Sequence, residues 1–418
     1  MNTPELTLLR ADWIAPFDRP GAGASRGLAI VVDGGRIAAV GDAGDLSISY
    51  PNAKVRNLGA AIILPGLVNA HVHLELSDLQ CGSPPAEGFA PWLLKLVKRS
   101  SGEPEELAAL VEKAINGGVK ECLRFGVTSV GDISRQCGVS RPLLRNGPLR
   151  VTSYGEVQAM ARRRELLATR LATASDWSNE INWLKIGISP HAPYTVEPAG
   201  YAECLRLARQ RNMPLATHLA ESEDEAEFLH DQTGPFRELW EALGQWDESV
   251  PRFEGGPIRL AHSLGLLDYP TLLAHVNYCD DAELNILAAG KASVVYCPRT
   301  HRYFGHKPHR WREMLARGIN VAIGTDSRAS SPDLNVVDDL RLVHEIAPEI
   351  PVEQLWEMVT MRGARAIEAE AKVGRLAAGL MADFSVFAVE TDEPLRGILE
   401  RNLTPTQTWI EGKMVWKK

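Results

Sequence analysis

The stretch Ile62-Ile63-Leu64-Pro65-Gly66-Leu67-Val68-Asn69-Ala70-His71-Val72-His73-Leu74-Glu75 constrains this chain more than any other. An apolar run passes through a Pro-Gly step into two histidines one residue apart. Side chains alternate faces along a strand, so residues two apart share a face. Read as a strand, the segment points His71 and His73 the same way, with Val72 opposed. Two imidazoles on one face make half of a metal site. The competing reading is a pair of polar residues at a strand end, hydrogen-bonded to nearby loops. Further ligands at other strand ends decide between the two.

Between about 61 and 373, strand-like and helix-like sequence alternates. The candidate strands are 62–70, 128–133, 150–156, 184–189, 214–218, 272–276, 293–296 and 321–325. Glu106 to Cys122 and Tyr201 to Arg211 carry apolar residues at helical spacing, and Asp280 to Gly290 is short for a full helix. Eight strands, each followed by helical sequence, predict an α/β fold of the (β/α)8 TIM barrel type. Thr271-Leu272-Leu273-Ala274 is apolar throughout, as a strand buried on both faces requires. The two ends are β-rich. Leu28 to Val32 and Arg36 to Gly41 flank Asp33-Gly34-Gly35, a hairpin turn signal. Ala382 to Phe387, Thr408 to Ile410 and Met414 to Trp416 have the same texture. The expected division is 1–60 and 374–418 as the two parts of one small β-sandwich, with the barrel over 61–373.

Chemistry in such barrels sits at the C-terminal ends of the strands. The first candidate strand ends at His71 and His73, the fourth runs into His191, the fifth into His218 and Glu221, the sixth into His275, and the eighth into Asp326. Five of the 11 histidines fall at these ends, too many for chance placement.

The motifs Pro-Gly-Leu-Val-Asn-Ala-His-Val-His, His-Leu-Ala-Glu, a lone His and Gly-Thr-Asp-Ser, in that order over about 60 to 330, resemble the amidohydrolase superfamily. His-x-x-Glu after the fifth strand is similar to its mononuclear metal-dependent deaminase and chlorohydrolase branch. His73 to Ser77, the Tyr296 to His301 segment and Thr325-Asp326-Ser327 are most similar to aminodeoxyfutalosine deaminase-like sequences. The resemblance implies that His71, His73, His218 and Asp326 hold one divalent metal ion, Zn²⁺ or Fe²⁺. It also implies that the ion lowers the pKa of a bound water to about 7. Asp326 would take up or orient that water's proton. Glu221 would shuttle protons to the ring nitrogen and the departing ammonia, and His275 would polarise the attacked carbon. Binuclear relatives carry a carboxylated lysine at the end of the fourth strand. Lys185 opens that strand instead, which favours one metal and disfavours cyclic-amide hydrolysis.

The implied activity is hydrolytic deamination of an aromatic amidine, such as an aminopurine or a nucleoside. The alternatives are a hydrolase expelling chloride or an alkylamine from a triazine-like ring, and a non-catalytic scaffold, which would be expected to lack ligands. His191 is a candidate substrate contact, against a satisfied histidine in a Pro-flanked turn. Glu87, Phe89 and Trp92 lie where related deaminases place a nucleoside-binding carboxylate and aromatics, although Trp92 also opens an amphipathic helix. Arg135, Arg299, His301 and Arg328 are further candidates to meet a carboxylate or ribose. The run His301, His306, His309 reads as a mobile loop over the barrel mouth rather than a second metal site. Glu221-Ser222-Glu223-Asp224-Glu225 suits the positive end of a helix dipole, and apart from Glu221 it reads as a solvated face.

A net charge of −8 gives no support to nucleic-acid binding. The first residues lack a basic flank followed by an apolar core, so no signal peptide is expected. No run of about 18 apolar residues occurs, so no membrane partner is expected either. The six cysteines form no Cys-x-x-Cys pair and read as reduced, which predicts a cytoplasmic location. A small molecule is the expected partner, with a homodimer left open.

Overall fold

A computed structural model of the protein describes residues 6–99 and 103–418. Eight parallel strands lie side by side in chain order: β1 (Leu67–Val72), β2 (Val127–Ser134), β3 (Arg150–Val157), β4 (Leu184–Pro190), β5 (Leu215–Leu219), β6 (Thr271–His275), β7 (Ser293–Tyr296) and β8 (Asn320–Ile323). A bridge from Val72 to Asp326 joins the first strand to the segment after the last. The ring therefore closes beside two of the residues singled out from the sequence. Each expected barrel strand is present, and the fold is the TIM barrel.

The first expected strand, 62–70, is two strands. Ala61–Pro65 belongs to a different sheet, and β1 starts after Gly66. The break has a steric cause. A Cβ on Gly66 would stand 2.1 Å from Thr128 Oγ1, so only glycine lets β2 pack this close. The Gly66 amide donates to the Asp383 carbonyl at 2.8 Å, tying the crossover to the C-terminal segment.

Ala61–Pro65 pairs antiparallel with Phe384–Ala388 in a five-stranded sheet that also holds Trp13–Ile14, Gln407–Ile410 and Lys413–Lys417. A four-stranded sheet contains Thr7–Arg10, Leu28–Asp33, Arg36–Asp42 and Lys54–Asn57. Leu9, Ile30, Val32 and Ile37 from this sheet share one buried cluster with Ile63, Phe384, Val386 and Trp409 from the other. The two ends of the chain thus build one small sandwich. Gly34 and Gly35 both have positive φ, 53° and 84°, as the tight hairpin turn demands.

Four helices bear on the site: α1 (Phe89–Arg99), α2 (Pro104–Arg124), α3 (Asp224–Asp231) and α4 (Pro298–Phe304). The doubtful segment after Asp280 is a helix, Asp281–Ala289. Asp280 and Glu283 hold its start in a reciprocal capping box. Four of the six free cysteines are buried. Among the described residues no helix is long and apolar enough to cross a membrane.

Candidate active site

The ends of β1, β5 and β8 converge. Ring nitrogens of His71, His73 and His218 lie within 4.8 Å of one another. Asp326 Oδ1 lies 3.7 Å from His71 Nε2 and 3.4 Å from His73 Nε2. His73 is not on the strand. The β1–β2 ladder slips between Asn69 and Val72, β1 ends at Val72, and His73 precedes a short 3-10 turn, Leu74–Leu76. Asp132 holds that turn by accepting from the Leu74 amide at 3.0 Å, while its other oxygen accepts from Ser134 Oγ at 2.7 Å.

Both ring nitrogens of His71 are buried without a hydrogen-bond partner. Such orphaned groups carry a cost and call for an explanation. Burial holds the imidazoles of His71, His73, His191 and His218 at about 3, so each is neutral with a lone pair to offer. His218 Nδ1 donates to the His191 carbonyl at 3.0 Å, which keeps the ring proton on Nδ1 and leaves Nε2 bare towards the cluster. Asp326 adopts a left-handed backbone, φ 57°, and its Oδ2 accepts from Ser330 Oγ at 2.7 Å. Three neutral imidazoles and a carboxylate around one point form a donor set that suits Zn²⁺ or Fe²⁺.

Beside this cluster, His275 Nε2 is 3.4 Å from Glu221 Oε1, and the Tyr194 hydroxyl donates to Glu221 Oε2 at 3.3 Å. Glu221 lies in the turn before α3 rather than on the helix. Burial, with Asp326 and Glu225 nearby, holds its carboxyl well above the usual range. The backbone here is strained: Ala220, His275 and Val276 have φ of 50°, 73° and 52°. Asn277 Nδ2 donates to the Glu221 carbonyl, and His309 Nε2 to that of His275, both at 2.9 Å.

Glu225 corrects the reading of its segment as a solvated face. It is fully buried and accepts the amides of Ala220, Glu221 and Ser222. Burial raises its carboxyl to about 7. An acidic helix start looks the same in sequence whether its carboxylates face water or fold back onto free amides.

One cavity opens over the cluster. His73, Glu75, Phe89, Trp92, Arg135, Glu156, His191, Tyr194, Glu221 and Asp326 are among its walls. His191, Trp92 and Arg135, the candidate substrate contacts, are thus on the cavity wall. Phe89 and Trp92 pack with Phe304, ring centroids 5.0–5.8 Å apart, so they serve the core as well. Glu87 is exposed and paired with Lys95 at 3.1 Å, outside the cavity wall. Arg299 is buried and spent on Asp339 at 2.9 Å and Asp333 at 2.7 Å, which hold the start of α4 against 333–339. Arg328 donates to the Ser77 carbonyl at 3.2 Å and lies 3.7 Å from Glu121, away from the cluster. His301 is buried in α4 against the Lys307 carbonyl at 2.8 Å. The His301–His309 run is thus the end of α4 followed by a segment without regular structure, in which His309 is buried and Lys307 and Pro308 are exposed. Glu75, Glu156 and Tyr194 were missed as cavity residues. Glu156 was findable, since it ends the third candidate strand.

A model of the amidohydrolase family matches residues 62–415. A 5-methylthioadenosine/S-adenosylhomocysteine deaminase of Nitratidesulfovibrio vulgaris is 29% identical over 406 residues, covering 92% of this chain and 84% of that protein. An aminodeoxyfutalosine deaminase of Deinococcus radiodurans is 30% identical over 351 residues, covering 81% of each. The crystal structure of a Xanthomonas campestris adenosine deaminase with bound zinc superposes with a TM-score of 0.81 at 22% identity, covering 99% of this chain and 93% of that one. The barrel, the small sandwich and the matched span agree: this chain belongs to the amidohydrolase family.

Proposed function

We propose that the protein is a metal-dependent deaminase that hydrolyses the exocyclic amino group of an adenosine-type nucleoside and releases ammonia. One observation carries the reading. Three orphaned or mutually facing imidazoles and a carboxylate meet at the floor of a cavity, His73, His218 and Asp326 lining it and His71 buried beneath, beside a buried carboxyl–imidazole pair. The names of the two sequence relatives support the nucleoside class.

His71, His73, His218 and Asp326 would hold one divalent cation, with zinc or iron(II) suited to the donors. When bound, that ion supplies a water acidic enough to attack at neutral pH. Asp326 Oδ1 faces the imidazoles and accepts the proton lost by the attacking water. Glu221, whose carboxyl burial pushes well above the usual range, hands a proton to the ring nitrogen next to the attacked carbon. Its carboxylate then takes the proton of the newly added hydroxyl and passes it to the amino group, so that ammonia, not amide ion, departs, and the proton held by Asp326 restores the Glu221 acid. His275 orients Glu221 and stabilises charge as it grows at the reacting carbon. Tyr194 keeps the second Glu221 oxygen occupied. The six unpaired cysteines support a reducing, cytoplasmic setting.

The test is ammonia release from a panel of aminopurine nucleosides by zinc- and iron-loaded protein. Turnover of at least one supports the reading. Silence across the panel, with release of chloride or alkylamine from triazines, replaces it.

A further inference from the structure

We propose that Glu156 and His191, side by side on the cavity wall, bind the sugar hydroxyls of the substrate and make Glu156 a specificity-determining residue. This rests on the nucleoside reading above.

Glu156 sits near the end of β3, and its side chain is only 6% exposed. Among the described residues no lysine or arginine lies within ion-pair distance of it, which is unusual for a buried carboxylate. Its Oε1 accepts from Gln158 Nε2 at 2.8 Å, which leaves Oε2 available. Oε2 lies 3.8 Å from His191 Nε2, too far for a hydrogen bond. The other side of the imidazole settles what Nε2 offers. With the Thr195 hydroxyl donating to the Ala192 carbonyl at 3.1 Å, the 2.8 Å contact assigns the His191 proton to Nδ1, which donates to Thr195 Oγ1. Nε2 is then an acceptor. Two acceptors confront each other on the cavity wall, and neither can satisfy the other. What completes them is a group with hydroxyl protons set between.

The base of an adenosine-type substrate cannot supply those protons. With its amino carbon turned to the imidazole cluster, its remaining ring nitrogens are acceptors, and a carboxylate gains nothing from them. The sugar hydroxyls are the donors left. Adjacent hydroxyls of a pentose would reach Oε2 and Nε2 together, each in a charge-assisted or neutral hydrogen bond. Glu87, the other carboxylate considered for this task, is exposed and paired with Lys95. A base with a ring N–H, of the guanine type, is the rival donor.

The experiment uses zinc-loaded wild type and Glu156→Ala, with Glu156→Gln as the conservative variant. Adenosine, 2′-deoxyadenosine, 3′-deoxyadenosine and guanine are compared by kcat/KM. Inosine and 2′-deoxyinosine are compared by calorimetric binding. Wild type should prefer the ribonucleoside over a deoxy analogue by about 10- to 100-fold. In Glu156→Ala that ratio should fall to near one, with Glu156→Gln between. A ratio unchanged in Glu156→Ala overturns the proposal, as does a wild type indifferent to the hydroxyls. So does a loss confined to guanine, which assigns the pair to a ring N–H. If no nucleoside turns over but inosine binding still discriminates through Glu156, the deaminase reading fails and the sugar site stands. If neither turnover nor binding occurs, both are overturned.

Discussion

Nε2 of His73 lies 3.2 Å from Nε2 of His218, although the two residues are 145 positions apart in the chain. Both rings are neutral, and the two nitrogens meet where one cation could take a lone pair from each. His73→Ala and His218→Ala should each reduce bound zinc from about one per chain to a small fraction of that, measured by elemental analysis. A chelator should lower the melting temperature of wild type and leave that of His73→Ala nearly unmoved, because binding to the folded state alone stabilises it.

Glu221→Gln keeps the shape of the side chain and removes its titration. Deamination should fall by about 10²- to 10⁴-fold, the usual worth of a general acid–base group. Zinc content should be retained, since Glu221 lies beside the cluster and not in it. Loss of zinc with loss of activity would contradict the assignment.

Ser330 acts through Asp326. Its hydroxyl occupies Oδ2 at 2.7 Å and leaves Oδ1 to face the imidazoles. Ser330→Ala should weaken zinc affinity or kcat by about 10- to 100-fold. Competition with a chromogenic chelator measures the first and ammonia release the second.

Stability should depend on pH in two opposed ways in metal-free protein. His71, His191 and His218 sit near 3 when folded, against 6.5 when unfolded. The unfolded chain therefore takes up protons first. Stability is full above 6.5 and drains as the pH falls towards 3, by up to about 1.4 kcal/mol per pH unit per imidazole. Glu75 runs the other way. Burial, with Asp132 close by, raises it from 4.5 to about 8, so its contribution is full below 4.5 and is lost as the pH rises through 8. Glu75→Gln keeps an acceptor for the Gln136 amide and should raise the melting temperature more at pH 8.5 than at pH 4.5. Melting curves in chelator across that range measure both arms.

Arg299 looked like a substrate contact in sequence and is a buried clamp in the structure. Arg299→Ala strands Asp339, whose side chain is 1% exposed, and should destabilise the fold by about 3–5 kcal/mol in urea titrations. KM should change little in the protein that remains folded.

The chain order of chemical residues already determined much of this. His71, His73, His218, His275 and Asp326 each follow an apolar run, and a barrel brings all strand ends of one polarity to one face. That argument is local plus topological, so it survives without coordinates. Only the tertiary structure decided where other side chains spend their hydrogen bonds. Glu225 turns back onto three amides, Arg299 closes on Asp333 and Asp339, and Glu87 stays in solvent, while Glu156 faces the cavity with no lysine or arginine beside it among the described residues. The split at Gly66 belongs with them, since it depends on Thr128 packing against it from 62 residues away. Strand periodicity is written in neighbouring residues. The partner of a charge or the space beside a glycine is set by segments far along the chain, which meet only when the barrel closes.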